Sequence, residues 1–265
     1  MYPVLYETST FTLYTHNAVT VLAYTIGISY AALRWKKLFG GYSHAIPFLL
    51  VCLIATRIGG RAINVLENLP FYIEYPISAF KLWESGFGSL GSWIFTIAAS
   101  IGYARVFSLP TDEILDSIVV PTGMLSHGLG RLACLASGDV YGKVTSSPLA
   151  IVHTNHRSSI PDIFLGFPLH PLPLYMCCVL LVLFVISLKL RKLQRYGGQT
   201  ASTVLLCYAI ARFLLEFLRS DYSTVDVGFG LNSSQIVCVA LFAGSLAAIL
   251  YLRRRHAIAK STTLV

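Results

Sequence analysis

Charge is scarce in this sequence. Lysine, arginine, aspartate and glutamate make up 12% of its 265 residues, about half the share of an average soluble domain. Acids are scarcer than bases, 12 against 20, which leaves a formal net charge of +8. Linkers, low-complexity tracts and internal repeats are missing too, so 1–265 reads as a single polytopic domain. Cysteine is absent outside the long apolar stretches, which argues against a disulfide framework. The six cysteines present all lie within those stretches, where a thiol is a small packing group. No basic segment precedes the first apolar stretch. Residues 1–16 therefore do not read as a cleavable leader, and the first span is expected to act as the signal anchor.

What is abundant is apolar surface. Hydrophobic residues make up 55% of the chain and its mean hydropathy is +0.67. Stretches of spanning length fall at about 17–34, 44–66, 86–105, 113–137, 170–190, 200–219 and 233–252. Each is near the ~20 residues that a helix needs to cross ~30 Å of hydrocarbon. The expected fold is an all-α integral membrane protein of about seven transmembrane helices. With the N-terminus outside and the C-terminus cytoplasmic, inside segments hold twelve lysines and arginines and outside segments three. That is the bias of cytoplasmic loops. The positive charge is then topology, helped by anionic headgroups, and calls for no nucleic acid. Two outside segments are long, at about 67–85 and 138–169. The second carries "SSPLAIVHTNHRSSIPDIFLGFPLHP", which lacks helical or strand period and reads as an ordered external loop.

The five remaining basic residues are all arginine: Arg57, Arg61, Arg131, Arg212 and Arg219, each inside or at the edge of a span. A charge at the bilayer centre costs at least ~2.5–3.5 kcal/mol and marks a functional position by default. In "CYAIARFLLEFLRSD", Tyr208, Arg212, Glu216 and Arg219 follow at intervals of four, four and three, on one helix face. Arg57, Arg61 and Asn64 share a face of the second span, and His127, Arg131 and Cys134 share one of the fourth. Glu216 is the one carboxylate expected fully inside the membrane, too few for five arginines. The complement is therefore an anion from outside the chain. A phospholipid phosphate suits the planar, permanently charged fork of arginine. Gly128, Gly130, Gly138 and Gly142 flank Arg131 and would let backbone approach such a ligand, or would pack helices together. No metal is expected, since His153 and His156 stand in a loop without partnering cysteines. An ion-coupled transporter would want midplane carboxylates in paired halves, and an intramembrane serine protease would want its serine and histidine on facing spans. Ser126 and His127 are neighbours that point apart.

At these residues the sequence resembles the prolipoprotein diacylglyceryl transferases, seven-span enzymes that lipidate bacterial lipoproteins. "GGRAINVL" (59–66) is similar to their glycine-glycine-arginine helix, and "HGLGRLACLASGDVYGK" (127–143) to their signature GRxGNFxNGExxGR. "LHPLPLY" (169–175) matches HPxxLYE and "YAIARFLLEFLR" (208–219) matches YxxxRxxxExxR. The resemblance implies that Arg131 and Arg212 are essential and bind phosphate, while Arg61, Tyr208, Glu216 and Arg219 shape the same cavity. Gly142 and Tyr175 fall with the substrate-binding motifs, Asp139 stands for the family's glutamate, and His170 comes from the HP motif. It further implies transfer of diacylglyceryl from phosphatidylglycerol to the thiol of a lipobox cysteine, at the bacterial inner membrane, with no cofactor or metal. Glycerol 1-phosphate is the leaving group.

The departures concern proton handling. Within "WESGFGSLGSW" (83–93), Leu90 stands about where the family has a histidine. Cys134 and Ser137 replace the signature asparagines, Met176 replaces the acid of HPxxLYE, and His16 stands near the place of a tyrosine. The general base remains open among His127, His170, Asp139 and His16. Asp139 would need a raised pKa, against the pull of nearby arginines. The alternative reading is a phospholipid-binding or lipid-moving protein of the same family without catalysis.

Overall fold

The computed structural model describes residues 3–9, 12–81, 88–220 and 231–262. Residues 82–87, which include the end of the expected outer segment at 67–85 and Trp83, lie outside the described residues.

Every expected span has its helix. The chain forms β1 (Val4–Glu7), β2 (Thr12–Tyr14), α1 (Thr15–Phe39), α2 (Ala45–Glu67), α3 (Leu69–Glu74) and α4 (Ser89–Val106). There follow α5 (Thr111–Ile114), a π-helical turn (Leu115–Val119), α6 (Val120–Ser137), β3 (Ile151–Val152), β4 (Pro168–Leu169), α7 (Leu172–Leu193), α8 (Gln199–Glu216) and α9 (Ser233–Thr262). Among the described residues, five helices are long and apolar enough to cross a membrane: Thr15–Phe39, Ala45–Glu67, Thr111–Ser137, Leu172–Leu193 and Ser233–Ser261. The two other stretches are the 18-residue helices α4 and α8. Pro47 and Pro173 sit in the first turns of α2 and α7, where a missing N–H removes no helical bond. Pro121 lies within the 111–137 helix, and the π-helical turn just before it widens the backbone where proline cannot donate. Side chains such as Leu22, Leu50, Ile54, Val182 and Leu250 are exposed along the helices, as lipid-facing residues must be.

The chain divides into two compact units. One comprises Met1–Ser29, Thr122–Ile186 and Leu206–Val239, the other Tyr30–Pro121, Ser187–Leu205 and Ala240–Val265. In the second unit, α2 and α4 pack so closely that a Cβ on Gly59 or Gly91 would run into the other's carbonyl oxygen. Thr56 Oγ1 meets Thr96 Oγ1 at 2.7 Å and Ser92 Oγ donates to Thr56 O at 2.9 Å, the small-residue and hydroxyl packing of membrane helices. Trp35, Phe48, Tyr103, Ile114 and Ile118 form the apolar core beside them. In the first unit, Gly27 of α1 leaves no room for a Cβ against Ser126 of α6, and a Cβ on Gly128 would lie 3.2 Å from Leu180 of α7. Gly128 therefore serves helix packing rather than ligand approach.

One expectation needs correction. Glu216 is not the sole carboxylate inside the spans. Asp116, in the π-helical turn, is fully buried and accepts N–H groups from Gly198 at 2.8 Å and Ala201 at 2.7 Å. It answers the open amides where α8 begins, and so anchors two helices instead of balancing an arginine. Close by, Arg191 bonds Glu113 and Ser117. Arg57 and Arg61 stand one turn apart on the continuous helix α2, with Arg61 buried and Arg57 exposed.

The segment 138–169, expected as an ordered loop, is ordered by short pieces. Ile151 pairs with Leu169 and Val152 with Pro168, while Tyr141, Ile160 and Leu169 form a small core capped by Phe164. Arg157 reaches Glu7 of the amino-terminal hairpin at 2.6 Å.

Candidate functional site

All but one of the sequence-derived site residues fall in the first unit, and hydrogen bonds at its rim explain why they meet. Helix α6 ends at Ser137, where Gly138 takes φ +79° and returns its N–H to Cys134 O at 2.9 Å. Only glycine adopts that turn without strain. The chain then runs between the start of α7 and the end of α8. Gly142 N–H donates to His170 O at 3.1 Å, His170 N–H to Lys143 O at 3.0 Å, and Lys143 N–H to Leu218 O at 2.9 Å. A Cβ on Gly142 would lie 2.5 Å from His170 Cβ and 2.8 Å from Leu218 O. Gly142 thus lets three chain segments close on one another.

The arginines follow from that closure. Helix α8 ends at Glu216 and passes into a turn in which Arg219 N–H donates to Glu216 O at 3.1 Å. Arg219 is therefore not on a regular helix face, yet it still reaches its expected partner. Glu216 is bridged on both sides: Arg212 Nη1 lies 2.8 Å from Oε2 and Arg219 Nη1 2.9 Å from Oε1. The Arg212 and Glu216 side chains are 5% and 1% exposed, so this pair is buried and not at the surface. Arg219 lies within electrostatic range of both Arg212 and Arg131, and His127 within range of Arg131 and Arg212. Arg131 is buried on α6, and Tyr208 is fully buried on α8 with its ring 6.2 Å from that of His127. Among the described residues, three guanidiniums thus lie in range of one another, two of them bridged by Glu216.

A contributor that the spacing of α8 alone did not reveal is Asn232, whose side-chain amide donates to Glu216 Oε1 at 3.4 Å. "NSSQ" (232–235) carries the signal. Asn232 Oδ1 accepts Gln235 N–H at 2.9 Å and Gln235 Oε1 accepts Asn232 N–H at 3.0 Å, a reciprocal cap that fixes the start of α9 beside Glu216.

The four candidate bases separate. His127 packs against Tyr208. His170 sits half-buried, its Nδ1 3.3 Å from the Tyr175 hydroxyl. His16 and Asp139, treated singly in the sequence, are partners: Nδ1 of His16 lies 2.8 Å from Oδ2 of Asp139. Ser137 and Ser159 hydroxyls donate to the same carboxylate, each at 2.7 Å. Burial pushes the Asp139 carboxyl up, but the hydrogen bonds from His16, Ser137 and Ser159 outweigh it and hold the group below the ordinary carboxylate range. The direction is the one expected, although hydrogen bonds rather than arginines cause it. Ligand atoms of His16, Asp139 and Cys134 all lie within 4.8 Å of one another. Two ligands of a tetrahedral zinc stand about 3.4 Å apart, whereas the His16–Asp139 contact of 2.8 Å is that of a direct hydrogen bond.

Arg61, the exception, belongs to the second unit. Its guanidinium donates to the Tyr72 hydroxyl at 3.1 Å and to the Lys81 carbonyl, and Tyr72 in turn donates to Asn64 Oδ1 at 2.7 Å. These bonds tie the segment 72–81 to α2.

Fold and site together define a helical membrane protein with a buried cluster of arginines at one rim. The family model for prolipoprotein diacylglyceryl transferase matches residues 3–251, and the chain belongs to that family. It is similar to the phosphatidylglycerol–prolipoprotein diacylglyceryl transferase of Wolbachia pipientis subsp. Culex pipiens, with 30% identity over 251 residues and 90% of each chain covered. The Bradyrhizobium diazoefficiens protein of that name is 29% identical over 257 residues, 88% of this chain and 86% of its own. That of Geobacter sulfurreducens is 30% identical over 206 residues, 76% of each.

Proposed function

We propose that this protein moves the diacylglyceryl group of phosphatidylglycerol to a lipobox cysteine thiol of a prolipoprotein, working as one polytopic domain of the bacterial inner membrane. Seven helices span, the N-terminus is outside, the C-terminus is cytoplasmic, and the site opens at the outer face. Lipid and lipoprotein are the partners, and no nucleic acid is involved.

The reaction explains the charge. A thiolate attacks the glyceryl CH₂, a C–S bond forms, and the C–O bond to the phosphate breaks with its electron pair going to oxygen. The phosphodiester, with one negative charge, leaves as a phosphomonoester that can carry two. Fixed donors aimed at that developing charge lower the barrier, and arginine forks supply them without reorganising. Arg131 and Arg212 hold the phosphate, with Arg219 beside them. Glu216 orients Arg212 and Arg219, and Tyr208 closes the wall. Tyr175 and His170 face the lipid from the start of α7, and Gly142 keeps the rim closed. A lipid contact for Arg61 rests on the resemblance alone. The observation that carries the reading is the buried Arg212–Glu216–Arg219 cluster with Arg131 in its electrostatic range, in a family whose named relatives act on an anionic lipid.

The test is transfer itself. Purified protein is incubated with acyl-labelled phosphatidylglycerol and a lipobox peptide, and label is expected on the peptide cysteine. Label that passes only to water, or stays on lipid that the protein retains, would overturn the reaction and favour lipid binding without catalysis.

A further inference from the structure

We propose that His16 is the group that takes the proton from the acceptor thiol, with Asp139 as the positioning residue that holds its ring. The inference rests on the transfer reaction proposed above and names the base that reaction lacks.

Three observations carry it. The first is the pairing. Among the four candidate bases, His16 and Asp139 alone are joined to each other, at 2.8 Å. The carboxylate is itself held at both oxygens, Oδ2 by Ser137 and Oδ1 by Ser159. A ring whose Nδ1 is held by an anchored carboxylate has its tautomer and direction set, and Nε2 is left to exchange protons. The carboxylate also stabilises the imidazolium that forms. The other two histidines are placed differently: His170 meets a tyrosine hydroxyl, and a proton taken by His127 would place a further positive charge beside Arg131 and Arg212.

The second is position. α1 and α6 run in opposite directions, since Gly27 lies against Ser126 and His16 against Ser137. The start of α1 thereby reaches the end of α6. Arg131, Cys134 and Ser137 follow at intervals of three along α6, and Ser137 stands about 9 Å along the axis from Arg131. That interval suits a reaction in which a sulfur is deprotonated at one end and a phosphate leaves at the other. The third is that the pair already has a thiol in its surroundings. The Cys134 thiol already lies within 4.8 Å of the ligand atoms of His16 and Asp139.

The proton balance closes. The acceptor S–H gives its proton to His16 Nε2, the thiolate forms the C–S bond, and the electron pair of the broken C–O bond leaves on the phosphate ester. His16 then returns its proton to that phosphate or to water.

The experiment uses the full-length protein in detergent with phosphatidylglycerol and a lipobox peptide. Transfer and lipid retention are measured separately for wild type, His16→Ala, His16→Gln and Asp139→Asn. Both His16 variants should lose transfer by about 100-fold or more while keeping phosphatidylglycerol, the usual worth of a general base. Added imidazole should restore part of the activity of His16→Ala, which fits a small ring at the vacated place, and none of that of the bulkier His16→Gln. Asp139→Asn should fall roughly tenfold through the wrong tautomer. His16→Ala transferring within about threefold of wild type would overturn the proposal. So would loss of lipid retention and transfer together without imidazole rescue, which would make the pair a clamp between helices. Inhibition of the wild type by a chelator, reversed by zinc, would overturn it in favour of a metal at His16, Cys134 and Asp139. If wild type itself transfers nothing, the reaction fails and the proposal with it, whereas with an active wild type the variants report on His16 alone.

Discussion

Replacing Arg131 or Arg212 with lysine is expected to abolish diacylglyceryl transfer although the charge is kept. A lysine ammonium is a compact, strongly hydrated point charge. It cannot offer two parallel donors to one phosphate, and on α8 it cannot hold Glu216 and the ligand at once. Loss of one preorganised donor at a developing oxyanion costs about 100-fold or more, and the fork supplies two. Arg212 makes its bond to Glu216 at 2.8 Å with a side chain 5% exposed, so lysine also has no water there to complete its shell. Transfer is measured alongside elution as a single folded species. Wild-type turnover in both lysine variants would show that charge alone suffices and that no phosphate is gripped.

Glu216→Gln is expected to lower stability by about 3 kcal/mol or more, because removing one member of a buried ion pair leaves its partners uncompensated. Here two partners are left, Arg212 and Arg219, and Asn232 loses its acceptor charge. The variant melts earlier and retains less phosphatidylglycerol, since the arginines are no longer held apart and aimed. The pH at which its residual activity appears stays that of wild type. A displaced pH profile would mean that Glu216 exchanges protons and is more than a brace.

The arginines were legible because two strong signals coincide in them: charge within an apolar run, and a helical interval that repeats down α8. The same intervals predicted the Glu216 pairs correctly even though the helix ends at Glu216, since a tight turn carries Arg219 back to the carboxylate. Helix ends were less legible. Hydropathy stops at the charges of 34–37 and 253–255, but nothing there breaks the backbone, so α1 continues to Phe39 and α9 to Thr262. Asp116 reads from sequence as one more acid near a span edge. Its role depends on the open amides of a helix more than eighty residues later. The His16–Asp139 pair is hidden for the same reason: the two residues come from distant segments, and only the opposed packing of α1 and α6 through Gly27 joins them. Local periodicity reports which residues share a face of one helix. It does not report which helices meet.

In the proposed reaction the clustered guanidiniums hold the phosphate of the lipid substrate. Solid-state NMR dephasing between ¹⁵N-labelled arginine side chains and the ³¹P of bound phosphatidylglycerol measures that contact directly. A charge-assisted bond of ~2.8 Å from nitrogen to oxygen brings phosphorus within about 4 Å of guanidinium nitrogen. Strong dephasing is therefore expected in the wild type and should fall sharply in Arg131→Lys and Arg212→Lys. Phosphatidylglycerol retained by the wild type with no dephasing, or with dephasing unchanged in both variants, would contradict it.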